Sequence, residues 1–512
     1  MASSLMKDSP ESPGAPAPGV PEKTFFGHPR GLATLFLTEM WERFSFYGMR
    51  ALLTIYLISG GPDASKGLQG GGLAMDLATT TAVYSIYLSM VYLLALPGGW
   101  LGDRLWGPRR TVTIAACTIM AGHLTLALPG TGTFFAGLAL VALGSGLLKA
   151  NISTMVGHLY EGPNDPRRDG GFTVFYMGIN MGAFFAPLVI GTVGERYSWH
   201  LGFALAAVGM GIGLATFLFG TRHLSPRSSV VPTPLSRQER ALWLRKGLTW
   251  LLIAAACYAV VVLTGHFTLN WAMVPLTLAG LVIPAAVLIR IKRDKELTAV
   301  EQSRMSGYIW FFVAAAVFWM IYDQGGSTVQ AFGTTKAANS LFGLTFPSSW
   351  YQSLNPVFIM ALAPVAAWFW LWLNRRGQEP STVAKFAAGL FFIGVSFFFF
   401  LLPLMSAESG TLVSPMWLVG IYLLQTVGEL CLSPVGLSVT TKMAPAKYAS
   451  QMMGVWFLAV TAGDSVTGLL SIGGVNLSRT GVVALEALLA TAAGVAVFLY
   501  RRSVRALMHD VH

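Results

Sequence analysis

Glu39-Met40-Trp41-Glu42-Arg43-Phe44-Ser45-Phe46-Tyr47-Gly48 lies inside an apolar run from Gly31 to Ser59. A bilayer is crossed by about 20 apolar residues in a helix, and this run is long enough. At helical spacing, positions 39, 42, 43 and 47 share a face, because steps of three and four residues stack side chains above one another. Two carboxylates, a guanidinium and a phenol thus form one stripe at membrane depth, with Leu35, Phe36, Phe46, Leu52 and Leu53 on the other faces. A charge at the centre of a membrane helix costs about 2.5–3.5 kcal/mol on insertion scales, so such groups face protein or water and mark functional paths. A structural ion pair is the simpler alternative, but two acids around one arginine exceed what one pair needs.

The rest of the chain is of the same kind. Its 512 residues are 54% hydrophobic and 11% charged, with a mean hydropathy of +0.60. A soluble domain carries about a quarter charged residues. The composition predicts an all-α polytopic membrane protein. The net charge of +11 does not point to nucleic acid, because Lys and Arg sit in short loops between apolar runs. Cys117, Cys257 and Cys431 fall within predicted spans and lack metal-ligand spacing, so neither a disulfide framework nor a metal site is expected. Residues 1–25 are rich in Pro, Ser and Gly and form most of an expected disordered cytosolic tail, 1–30.

About fourteen spans are predicted, near 31–59, 79–101, 111–129, 134–157, 172–193, 201–219, 247–266, 271–291, 306–325, 351–373, 383–404, 416–440, 453–474 and 480–500. With the N-terminus inside, the outside loops keep only Lys66, Arg196, Lys336 and Arg479. The other loop cations fall inside, from Arg104, Arg109 and Arg110 to Arg501, Arg502 and Arg505. That asymmetry predicts both termini in the cytoplasm. The spans divide as six, two and six: an N-terminal bundle over 31–222, linkers and an inserted hairpin over 223–305, a C-terminal bundle over 306–500, and a cytosolic tail over 501–512. The hairpin carries no membrane-depth charge and is expected to stand outside the mechanism. Two halves of similar hydropathy fit the two-bundle plan of many secondary transporters.

Further motifs carry polar groups into the spans. Gly98-Gly99-Trp100-Leu101-Gly102-Asp103-Arg104-Leu105-Trp106-Gly107-Pro108-Arg109-Arg110 follows the second span. Its glycines suit close helix approach and its charges can pair across a helix end. Lys149 lies mid-helix and needs a carboxylate or a water-lined cavity. Phe172-Thr173-Val174-Phe175-Tyr176-Met177-Gly178-Ile179-Asn180-Met181-Gly182 combines small residues with a single Asn, which tight packing alone could also explain. Trp319, Tyr322 and Asp323 share a face near the end of the first span of the second half. Asn355-Pro356 opens a helix. Glu429 stands deep in an apolar helix, ahead of Ser433-Pro434, where the proline can kink the helix at a pocket. Asp464 is a further acid without an assigned role.

E-x-x-E-R-F-x-x-Y-G at Glu39–Gly48, the G-x-L-x-D-R loop signature with one added residue before Gly107, F-x-x-F-Y-x-x-I-N-x-G at Phe172–Gly182, Asn355-Pro356 and G-E-L-x-L-S-P at Gly428–Pro434 together resemble the proton-dependent oligopeptide transporters. These form a branch of the major facilitator superfamily. The resemblance covers nearly the whole chain, and the extra hairpin is similar to the bacterial fourteen-helix branch. It implies the major facilitator fold and a proton-coupled symporter importing di- and tripeptides by alternating access. It also implies a bacterial inner membrane location and a monomer with no cofactor beyond the proton gradient. By the same resemblance, Arg43 and Lys149 hold the peptide carboxylate, and Asn180, Asn355 and Glu429 receive its backbone and amino terminus. Tyr47, Tyr92, Trp319 and Trp456 are implied as pocket walls, and Ser433 lies with them. Glu39, Glu42, Arg43, Lys149 and Asp323 are the proton-coupling candidates, with Ser85 where animal members carry a proton-linked His.

The residues agree with such a substrate. A short peptide zwitterion holds a cation and an anion at a fixed separation, and Arg43 with Lys149 in one half and Glu429 in the other form a complementary dipole. A carrier of a nitrate-like anion would have little use for Glu429. A multidrug antiporter would not need paired poles. No HExxH or GxSxG pattern supports an intramembrane hydrolase.

Overall fold

The computed structural model describes residues 24–62, 70–161, 165–473 and 478–509. The expected tail up to residue 23 and the loop cation Lys66 lie outside the described residues. Among the described residues fourteen long helices form, in chain order. The first half holds α1 (Gly31–Ile58), α2 (Leu77–Leu93), α3 (Pro108–Leu126), α4 (Thr131–Gly157), α5 (Arg168–Ala186) and α6 (Trp199–Gly220). The hairpin is α7 (Arg237–Leu263) and α8 (Asn270–Lys292). The second half holds α9 (Ala299–Tyr322), α10 (Leu354–Arg375), α11 (Thr382–Glu408), α12 (Met416–Lys442), α13 (Ala449–Ile472) and α14 (Arg479–Leu499). A short helix, α15 (Arg501–Met508), follows. Among the described residues, 12 helical stretches are long and apolar enough to cross a membrane. The other two long helices are α1, with Glu39, Glu42, Arg43 and Arg50, and α3, which opens on Arg109 and Arg110.

Local sequence sets several boundaries. Asp76 caps α2 by accepting from Thr79 N at 2.9 Å. Ser236 with Glu239, and Thr298 with Glu301, form reciprocal capping boxes at α7 and α9. Beyond α2 the chain stays helical through Ala95–Leu101 and then widens into a π-turn, Gly102–Trp106, closed by Gly107 N to Gly102 O at 2.9 Å. A π-turn holds one residue more than an α-turn. It accommodates the added residue in the Gly98–Arg110 signature.

Each half has its own apolar core. One packs around Leu35, Phe46, Phe134 and Phe203, the other around Phe311, Phe318, Phe386 and Phe400. The hairpin divides between them. α7 buries no residue, so its apolar faces are left for lipid. α8 lends Met273 to the first core and Leu288 and Ile291 to the second. It lies in the seam where α2 meets α13, and there Ser89 Oγ and Ser465 Oγ are 2.8 Å apart. Gly280 permits this fit: a Cβ there would stand 2.0 Å from Ser465 Oγ and 2.7 Å from Ser89 Oγ.

The linkers are fastened to different halves. Thr233 N and Leu235 N donate to the carbonyls of Asp103 and Arg104. After α8, Asp294 accepts from Lys447 Nζ at 2.7 Å and Tyr448 Oη at 2.6 Å. These donors hold its carboxyl well below the usual carboxylate range.

Gly280→Leu should therefore destabilise the protein by about 1–3 kcal/mol, the usual range for overpacking a close contact. Gly247→Leu on α7, where an added Cβ meets nothing within 4 Å, should be neutral. Thermal unfolding of both variants in detergent checks this; equal melting would contradict the seam assignment.

Candidate functional site

α1 builds the first part of the site. Arg43 Nε lies 2.9 Å from Glu39 Oε1 and 2.6 Å from Glu42 Oε2, and all three side chains are buried. Ser145 of α4 donates to Glu42 Oε1 at 3.3 Å. Arg43 Nη2 and Glu39 Oε2 are buried without a hydrogen-bond partner among the described residues. Gly182 brings α5 against this point, since a Cβ there would stand 2.3 Å from the Met40 carbonyl oxygen. On the same helix Asn180 is buried and donates to the Tyr176 carbonyl at 3.1 Å.

Lys149 makes no ion pair among the described residues. Its Nζ sits 3.5 Å from the centroid of the Tyr92 ring, a cation–π contact. Tyr92 stacks in turn on Phe457 of α13, with centroids 5.9 Å apart, so this contact reaches across the halves. Arg43, Glu42, Glu39 and Asp323 lie within electrostatic range of Lys149.

The second half supplies the opposite pole. Glu429 Oε2 accepts from Tyr322 Oη at 2.7 Å and from Asn355 Nδ2 at 3.0 Å, and Asn355 Nδ2 also reaches Thr426 Oγ1 at 3.0 Å. Three helices, α9, α10 and α12, thus meet at one carboxylate. Trp319 packs edge-on to Tyr322 at 5.0 Å. Ser433 Oγ, one turn beyond Glu429, is buried without a partner. Trp456 is buried and packs edge-on to Phe386 at 6.3 Å. Tyr47 lies between the poles, within electrostatic range of Arg43 and Arg50 on one side and Glu429 and Asp323 on the other.

The link between the halves runs through a residue that the sequence reading passed over. Arg50 Nη2 bonds Asp323 Oδ1 at 3.1 Å, and Arg50 Nε donates to the Tyr84 hydroxyl. Thr54 Oγ1 donates to the Gly326 carbonyl at 2.7 Å beside them. The signal was available, because 43, 47 and 50 continue the three-and-four spacing of the stripe past Gly48. Glu486 was also missed. It is buried on α14 and accepts from Gln324 Nε2 at 2.7 Å.

At the charge-poor end the halves are latched. Glu195 accepts from Ser348 N and Ser348 Oγ, both at 3.0 Å, and from Ser349 N at 2.7 Å. Trp350 Nε1 donates to Thr192 Oγ1 at 2.8 Å, and Ser353 Oγ to the Phe184 carbonyl at 2.8 Å. The arrangement can hold a small zwitterion between two buried poles while that end is shut.

The model of the POT family matches residues 109–473. An uncharacterized transporter, YclF, of Bacillus subtilis (strain 168) is 44% identical over 449 residues, covering 87% of this chain and 88% of the relative. A di-/tripeptide transporter of Lactococcus lactis subsp. cremoris is 38% identical over 500 residues, covering 96% and 98%. A crystal structure of a peptide transporter POT in complex with sulfate superposes with a TM-score of 0.89 at 41% identity, covering 96% of this chain and 98% of that one.

Bonds to a charged acceptor contribute about 1.5–3 kcal/mol each, so the Glu195 latch is expected to dominate closure of its end. In a variant with Cys117, Cys257 and Cys431 replaced by Ser, Ser349→Cys should react with an impermeant maleimide at least about tenfold faster once Glu195→Ala is added. Unchanged labelling would remove Glu195 from the latch.

Proposed function

The chain belongs to the POT family of membrane transporters, and from that premise we propose that it imports di- and tripeptides together with protons. The observation that carries the reading is the pair of poles. Arg43 Nη2 and Lys149 belong to the first half, and the Glu429–Asn355–Tyr322 cluster belongs to the second, with Tyr47 between them. A peptide carboxylate fits the first pole and its ammonium the second. Affinity drawn from the termini leaves the side chains to adaptable walls such as Trp319 and Tyr92. A small inorganic anion would use the first pole and leave the Glu429 carboxylate facing it.

The proton enters through the ion-pair geometry. Glu39 and Glu42 together hold Arg43. Neutralising one acid leaves Arg43 with a single counter-charge and frees its guanidinium for the peptide carboxylate. Proton and peptide binding are then positively linked, as symport requires. The protein acts as a monomer in the bacterial inner membrane with both termini in the cytoplasm. The loop cations support that orientation, which makes the latched end periplasmic. No cofactor takes part beyond the proton gradient.

The direct test is proton-driven uptake of labelled dialanine into liposomes, competed with amino acids and with peptides of two to four residues. Competition confined to di- and tripeptides is expected; competition by free amino acids or none at all would overturn the substrate class. Glu429→Gln should weaken a free-amine dipeptide roughly tenfold or more and barely affect its N-acetylated form. Equal losses would remove Glu429 from amine recognition. Glu42→Gln should abolish uptake against a gradient while sparing peptide counterflow, which needs no net proton movement. Accumulation by that variant would shift coupling to Glu39 or Asp323.

A further inference from the structure

Asp464 is 1% exposed in the middle of α13, and its Oδ2 has no hydrogen-bond partner among the described residues. The helix is fixed on both sides of it. Thr467 Oγ1 donates to the Met320 carbonyl of α9 at 3.0 Å, and Ser465 Oγ meets Ser89 Oγ of α2 at 2.8 Å. The side chain therefore cannot swing out to water without breaking the seam between the halves. The charged groups that act on it are Asp323, from the turn after α9, and Arg50, from α1; the phenol of Tyr84, on α2, is also within range. α8 presents Thr277 and Gly280 to this seam. Neither α8 nor α12 brings a further charge to bear on Asp464.

One guanidinium thus lies within electrostatic range of two buried carboxyls and bonds only one of them. Arg50 spends its bonds on Tyr84 and on Asp323 Oδ1, while Asp323 Oδ2 is likewise buried without a partner. A buried carboxylate with neither a cation nor a donor is too costly to persist; it takes up a proton instead. Two unpartnered carboxyl oxygens, one on the partner of Arg50 and one within electrostatic range of it, mark a place where a proton is held. This goes beyond a static pair, because the Arg50–Asp323 bond joins α1 to the second half and must break whenever the latched end opens.

We propose that Asp464 is a proton-binding site that supplies Asp323 when Arg50 leaves it, and this rests on the symport reading above. With the latched end shut, Arg50 is cationic, Asp323 is anionic and Asp464 carries the proton. As α1 withdraws Arg50, Asp323 loses its counter-charge. The proton passes from Asp464 to Asp323, and the solution admitted by the open end returns one proton to Asp464. On closure Arg50 pairs with Asp323 again and displaces that residue's proton toward the space between the two poles. One proton is bound on opening and one released on closing. Separation of the halves then does not wait for a proton from outside.

Infrared spectroscopy of the purified protein tests the resting state without transport. The wild type should show a buried carboxylic-acid carbonyl band, shifted in heavy water, that Asp464→Asn lacks. Any contribution of Glu486 is common to both proteins and cancels in the difference. In Asp323→Asn, Arg50 loses its partner, so Asp464 should ionise and the same band should vanish with Asp464 still in place. Persistence of the band in either variant overturns the proposal, and the second variant decides if the first does not fold. In liposomes, dialanine uptake by Asp464→Asn should match wild type at acidic external pH. Above that it should fall in proportion to external proton concentration, where the wild type declines more slowly and Asp464→Glu follows the wild type. Coincident profiles for Asp464→Asn and wild type would also overturn it. If the wild type itself shows no proton-driven dialanine uptake, the symport reading fails, while the infrared comparison still decides whether Asp464 holds a proton.

Discussion

A guanidinium at membrane depth costs about 2.5–3.5 kcal/mol on insertion scales, and this chain places two, Arg43 and Arg50, seven residues apart on one helix. The architecture around α1 follows from neutralising them. Arg43 is held by two glutamates of its own helix, supported by Ser145 of α4. Arg50 is held by Asp323 from the other half and by Tyr84 of α2. The first solution is local and survives movement of the halves. The second exists only while the halves are together. One helix therefore carries both a charge paired within its own half and a charge whose counter-ion lies in the other half.

The second half solves the converse problem. Among the described residues Glu429 has no cation in contact, and its oxygen is satisfied by a phenol and an amide from two other helices. A carboxylate supported by neutral donors remains able to attract a ligand ammonium, whereas a salt-bridged one would already be spent. The poles thus differ in kind: the positive pole is partly compensated by acids, and the negative pole is compensated by dipoles. Neutralising an acid can release the first, and only a ligand fully answers the second.

The seam and the latch give these charges their mechanical setting. Ser89 and Ser465 meet under Gly280 of α8, which contributes to both apolar cores. The hairpin is therefore not wholly peripheral: α7 faces outward, while α8 is packed between the halves. Its flanking linkers are fastened to the first half at Asp103 and Arg104, and to the second at Lys447 and Tyr448. At the other extreme Glu195 closes the charge-poor end against Ser348 and Ser349.

The sequence by itself determined the membrane class, the six-two-six order of helices, the charge asymmetry of the loops and the stripe from Glu39 to Tyr47. These are properties of consecutive residues, because hydropathy and helical period act along the chain. It also singled out Lys149, Asn355, Glu429 and Asp323, since a polar group in an apolar helix is visible without a partner. The partners themselves were not visible. Arg50 with Asp323, Tyr322 with Glu429, Lys149 on Tyr92 and Glu195 with Ser348 each join residues from different helices, and no local pattern encodes which helix faces which. The place of α8 was hidden for the same reason: Gly280 in an apolar run looks the same whether it faces lipid or two serines. Only the tertiary structure decided these, because burial and pairing depend on which surfaces the packed helices bring within a few ångströms of each other.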